Sequence, residues 1–173
     1  MDGEPAAQKC VLAYAGEENM FWCFAHRLQL CVGKALEEFG FVICDTRDYL
    51  KTTRKSPYCH ALNQAQSHIR PDSTPLRPLL DNNTRWSSTY TVLKCFLDLY
   101  PAIQYALQDQ SLHFDIDPLQ DALEVSCIVY TVLKPFATIT TLTQRENYPS
   151  LGLVPFWIAQ LNTQLETTEN IMI

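Results

Sequence analysis

Residues 23–39 read Cys23-Phe24-Ala25-His26-Arg27-Leu28-Gln29-Leu30-Cys31-Val32-Gly33-Lys34-Ala35-Leu36-Glu37-Glu38-Phe39. Phe24, Leu28, Cys31, Val32, Ala35 and Leu36 recur at spacings of three and four. That period places them on one apolar face of a helix. Gly40 is a stop signal. The same period continues downstream. A second helix is expected from Phe41 to about Lys55, and a third from Tyr58 to His68 after the Ser56-Pro57 start signal. Residues 69–83 hold Pro71, Asp72, Ser73, Pro75, Pro78, Asp81, Asn82 and Asn83, a connector composition.

Asn83 or Thr84 is placed to cap the next helix, to about Leu99, carrying Trp86, Tyr90, Leu93 and Phe96. Pro101 is expected to restart the chain as a separate helix to about Gln108. Asp115-Ile116-Asp117-Pro118 reads as another start. The helix that follows is expected to kink or break at Pro135. After the Tyr148-Pro149-Ser150 turn, a last helix spans about 151–168 with Pro155 in its first turn. Cys10–Tyr14 is the one strand-like candidate. The fold class is therefore mainly α.

Apolar residues make up 47% of the chain, enough for a packed core. No apolar run is read as approaching the roughly 20 residues that span a bilayer, so no membrane partner is expected. The seven cysteines are odd in number, irregularly spaced and without a secretory signal. They read as free thiols in a reducing compartment, with Cys31, Cys95 and Cys127 as small core hydrophobes.

The net charge of −6 argues against a nucleic-acid partner until it is divided along the chain. Residues 1–45 carry net −4, residues 46–85 net +4, and residues 86–173 net −6. Within the basic segment, Arg47, Lys51 and Arg54 or Lys55 fall on one helical face. Such a face can track a phosphate backbone, or it can be a solvated helix surface. Arg85-Trp86 also has two readings. The indole can stack on an unpaired base with the guanidinium on a phosphate and Ser87 adding a contact. Alternatively Trp86, Tyr90 and Leu93, at i, i+4 and i+7, face a core. Cys23 and His26 can begin a zinc site with Cys59-His60, or can be a buried thiol beside a hydrogen-bonded imidazole. Enzyme signatures are missing: no nucleophile elbow, no Gly-rich phosphate loop, and only 5 Gly in all. Asp115 and Asp117 read as a helix cap.

Three blocks occur in a recognisable order. The first, Cys23 to Leu30, fits Cys-x-x-His-x-Leu-x-Leu. The second, Arg85 to Tyr90, fits Arg-Trp-x-Ser-x-Tyr. The third runs from Leu133-Lys134-Pro135-Phe136 to Tyr148-Pro149-Ser150-Leu151-Gly152-Leu153-Val154-Pro155. Together, over about residues 20–157, they resemble the hAT superfamily of DNA transposases and its domesticated BED-type zinc-finger relatives. The resemblance implies an RNase H-like catalytic core interrupted by an all-helical insertion domain. On that pattern residues 1–40 are a remnant of the core and residues 41–173 part of the insertion.

The resemblance also implies three acids holding Mg²⁺ or Mn²⁺ in the intact parent. Asp2, 21 residues before Cys23, stands near the second acid's position, though Gly3-Glu4-Pro5-Ala6-Ala7 departs from the family's Asp-Asn-x-x-Asn. The other two acids would lie outside these residues, so the chain is expected to hold no cofactor and to cleave nothing alone. Further implications are a nuclear location, DNA contact at the Arg85, Trp86 and Ser87 motif, and a motif role for Cys23 and His26, while Arg47, Lys51, Arg54 and Lys55 are DNA-contact candidates on their charge and spacing. DNA is the expected partner of the parent, with weaker contact by this chain; protein partners or a homo-oligomer are also open. The alternatives are a domesticated helical protein-interaction module and a decayed fragment without selected function.

Overall fold

The computed structural model describes residues 23–80, 85–108, 117–143 and 151–172, together with Pro5 and Lys9. Among the described residues, the α-helices with bounds on both sides are, in order, α1 (Phe24–Glu37), α2 (Gly40–Thr53), α3 (Tyr58–Ile69), α4 (Trp86–Ala106), α5 (Asp117–Thr143) and α6 (Val154–Met172). A 3₁₀ turn at Leu151–Leu153 leads into α6. Every regular element among the described residues is helical, as the apolar periodicity requires. Cys10–Tyr14 and Tyr148-Pro149-Ser150 lie outside the described residues.

Several boundaries differ from expectation: the N-cap of α4 is Arg85 rather than Asn83 or Thr84, α6 runs Val154–Met172 rather than about 151–168, and three differences fall at a glycine or a proline. Gly40 opens α2 rather than closing α1, because the turn falls one step earlier, at Glu38-Phe39. α4 runs unbroken through Pro101, and α5 through Pro135. An interior proline removes one helical hydrogen bond and crowds the preceding turn, at about 3 kcal/mol. Leu99, Tyr100, Ala102 and Ile103 flank Pro101 and are all buried. Each large apolar side chain contributes roughly 1.5–3 kcal/mol on burial, so together they outweigh the proline. Leu133 and Ile139 are buried around Pro135 in the same way.

The chain divides into two compact units. One takes the described residues up to Leu36 and from Val132 onward; the other is Glu37–Thr131. The sequence reading places a single boundary, at residue 40. The grouping of α6 and the end of α5 with α1 was not legible there.

In the Glu37–Thr131 unit, α2 and α3 pack on α4. Leu50, Leu62, Phe96, Leu99, Ile103 and Leu119 are its nearly inaccessible centre. The apolar stripe of α2 contains two threonines, Thr46 and Thr53, both buried. Thr46 Oγ1 lies 2.9 Å from the Val42 carbonyl and 3.0 Å from Ser126 Oγ, so its buried hydroxyl is satisfied. Tyr90 and Tyr130 stack with ring centroids 5.0 Å apart, tying α4 to α5. Burial, with Tyr130 beside it, pushes the Tyr90 hydroxyl up to about 12. In the other unit, Leu28 and Val32 of α1 are buried with Trp157 and Leu161 of α6, and Phe24 stacks on Trp157 at 6.1 Å.

Leu119–Thr143 is long and apolar enough, by length and composition, to cross a membrane. That corrects the reading that no run approaches spanning length. The cysteine expectation divides as well. Cys95 is buried, but Cys31, Cys44 and Cys127 are exposed, and all six described cysteines are free. Cys95 accepts the Leu79 N–H at 3.3 Å and faces the Arg77 carbonyl at 3.6 Å. Burial pushes its thiol up, partly offset by the Leu79 N–H. Mass-resolved alkylation of the folded chain should label Cys31, Cys44 and Cys127 first and Cys95 last, since the thiolate is the nucleophile.

Candidate nucleic-acid interface

The connector 70–80 has no regular structure, yet it is held at two points. One is the Cys95 thiol. The other is Gln66 of α3, a polar residue on the stripe formed with Leu62 and Ala65. Its side-chain amide donates to the Leu76 carbonyl at 3.0 Å and accepts the Leu76 N–H at 2.7 Å. One buried amide thus satisfies both backbone groups of Leu76, much as a neighbouring strand would. Gln66→Leu should cost about 1–3 kcal/mol in chemical denaturation and speed proteolysis within 70–80.

This clamp positions Arg77. Arg77 lines a pocket shared with Arg54, the C-cap residue of α2. Arg47, two turns earlier on α2, donates to Thr89 Oγ1 at 3.2 Å. Thr89 lies one turn into α4, whose N-cap residue is Arg85. So α2 carries a basic line about 10 Å long, Arg47 to Arg54. One end adjoins the start of α4 and the other the pocket with Arg77. Lys51, between them, is paired with Asp48 at 2.8 Å, with side chains 56% and 70% exposed. Such a surface pair contributes about 0–1 kcal/mol and yields to a stronger anion. Lys55 is exposed in the following turn.

The start of α4 bears no side-chain cap hydrogen bond and no acidic residue in its first turn. Arg85 and Ser87 are exposed there. The partial positive charge of a helix N-terminus adds to Arg85 at that point.

Trp86 is placed otherwise than the base-stacking reading requires. It is 3% exposed and belongs to the buried face of α4 with Thr89, Val92 and Leu93. The physical reason is the i, i+3, i+6, i+7 spacing, which turns the indole inward while Arg85 and Ser87 stay outside. A ring so buried offers no face to a base.

Cys23 and His26 are half-buried at the start of α1. Among the described residues no group of three or more His, Cys, Asp or Glu is placed to hold a metal ion. Cys59 instead accepts a hydrogen bond from Asn63 at 3.8 Å, and His60 pairs with Gln64 at 3.1 Å. The zinc reading of Cys23 and His26 therefore finds no ligand set there. Asp2 lies outside the described residues.

The family model of the ZBED1 RNase-like helical domain matches residues 21–127. The chain belongs to this family. The match takes in the Cys23–Leu30 and Arg85–Tyr90 blocks, all of α1 to α4, and the first part of α5. The third block, from Leu133 onward, lies beyond it. No curated protein and no solved structure matches the chain. Membership agrees with the hAT and BED-type resemblance read from the motifs, and with a mainly helical fold. The matched region is a helical domain of a transposase-like family.

The sequence reading missed Gln66 and the pocket it shapes. A signal existed for Gln66: a glutamine at a core position of an amphipathic helix needs a buried partner. Nothing in the sequence indicated that the partner is Leu76.

Proposed function

We propose that this chain is the helical module of a transposase-derived protein and that it contacts DNA through backbone phosphates rather than through a stacked base. The observation that carries this is the basic line Arg47–Lys51–Arg54 on α2, joined through the Arg47–Thr89 hydrogen bond to the start of α4 with Arg85. Guanidinium and ammonium groups at this spacing suit a phosphate strand, and they give affinity without sequence discrimination. In this reading the nucleus is the compartment, the RNase H-like core edge lies in the unit that begins with α1, and α5 is a core helix rather than a membrane span. Leu119, Ala122, Ser126 and Val129 of α5 are buried at helical spacing, which supports the last point.

Strand cleavage is not part of the proposal. The described residues offer no set of acids that fits a divalent ion, so no step through Mg²⁺ or Mn²⁺ is derived. The test is fluorescence anisotropy with a labelled random duplex across a salt series. Affinity that falls steeply with salt and is indifferent to base sequence is the expected result. Salt-independent binding, or none, contradicts it.

A protein-interaction role is the second reading. Phe41 is 81% exposed and Phe156 64% exposed, apolar surface that a protein partner could cover. Under that reading, Lys51→Ala and Arg85→Ala leave the partner complex intact.

A further inference from the structure

The half-open pocket between the end of α2, α3 and the connector has a volume of about 540 Å³. That lies within the roughly 300–1,000 Å³ of small-molecule sites and far exceeds one bare phosphate. Arg54 and Arg77 both line it, and among the described residues neither guanidinium has a hydrogen-bond or ion-pair partner. Asn63 and Thr74 add polar groups that both donate and accept. Pro75 and Pro78 supply apolar wall. The connector side of the pocket is preformed, because Gln66 and Cys95 hold the backbone on either side of Arg77. Two unpaired cations, two neutral polar groups and an apolar wall suit a ligand that is anionic at one end and a flat polar ring at the other.

We propose that this pocket seats one phosphate-bearing nucleotide of a nucleic-acid strand, with its phosphate on Arg54 and Arg77. The planar fork of each guanidinium matches phosphate oxygens two at a time. The ring lies against Pro75 and Pro78, within reach of Asn63 and Thr74. The assignment rests on the phosphate-contact reading above and adds to it a built site where a strand is held in register.

The test uses the full chain, isotope-labelled, with thymidine 5′-monophosphate followed by backbone amide shifts. Saturable shifts at Asn63, Thr74 and Arg77 are expected, with thymidine inert and inorganic phosphate weaker than the nucleotide. A short oligothymidylate should displace the nucleotide. Arg54→Ala or Arg77→Ala should weaken binding by about tenfold or more, as for loss of a charged hydrogen bond. Arg77→Lys should fall between, keeping charge but losing the fork. Lys94→Ala, whose ammonium pairs with Asp98 and is not among the lining residues, should leave nucleotide binding unchanged. The proposal is overturned if the shifts do not saturate, if Arg77→Ala binds like the parent, or if the oligonucleotide fails to compete. Equal binding of inorganic phosphate and nucleotide also overturns it, in favour of a free-phosphate site. Failure of duplex binding contradicts the general DNA reading, whereas this titration decides the pocket by itself.

Discussion

Trp86→Ala is expected to destabilise the Glu37–Thr131 unit by about 3–5 kcal/mol, the range for deleting a buried aromatic ring. Trp86 is 3% exposed at the start of the helix whose other buried residues make the centre of that unit. Native domains have only about 5–15 kcal/mol in hand, so the variant sits near the edge of folding. Its denaturation midpoint should fall sharply. Binding to a duplex and to a substrate with unpaired bases should then be lost together, in step with the folded fraction. Selective loss on unpaired bases, with stability intact, would return Trp86 to the surface role that the Arg-Trp-x-Ser-x-Tyr block suggests. Trp86→Phe keeps most of the apolar volume and should restore stability and binding together.

The second large effect is on affinity. Lys51→Ala, Arg54→Ala and Arg85→Ala combined remove three exposed cations from the proposed DNA-facing line and leave the core untouched. Arg47 is kept, because its guanidinium donates to Thr89 Oγ1 and helps hold α2 to α4. Each neutralised phosphate adds about 0.9 to the steepness of log K against log salt. With three cations gone, the slope should flatten by about 2.7 and binding should weaken several-hundredfold at roughly 0.1 M salt. Thermal stability should barely move, since exposed ion pairs such as Lys51–Asp48 contribute about 0–1 kcal/mol. A variant that binds as before would leave the acidic net charge of −6 as the better guide to partners.

Much of the fold was legible because helical periodicity is local. Phe24 to Leu36 and Tyr58 to His68 form helices close to their expected limits. The prolines mislead, since a proline's cost is local while its compensation is not. Leu99, Tyr100, Ala102 and Ile103 are buried by residues distant in the chain, and that burial carries α4 through Pro101. Cys31 and Cys127 mislead in a related way. Apolar neighbours do not say on which side of a helix a small residue lies.

At the candidate site, the line Arg47, Lys51, Arg54 follows from spacing alone. Its junction with Arg85 does not, because it depends on the hydrogen bond from Arg47 to Thr89 across 42 positions. Trp86 shows a motif and a period pointing to different roles at one residue, and the observed burial agrees with the period. Gln66 and Leu76, ten positions apart, meet only because the connector folds back along α3. That return has no periodic signature, so the pocket with Arg54 and Arg77 could not be read from the sequence.

The most direct test of phosphate binding by this helical module is the salt slope itself. Duplex affinity of the parent chain and of the Lys51/Arg54/Arg85 triple alanine variant is measured from about 50 to 200 mM salt. A steep parent slope that flattens by about 2.7 in the variant, with unchanged folding by circular dichroism, is the predicted result. Parallel slopes for the two proteins, or no measurable binding by the parent, would contradict it.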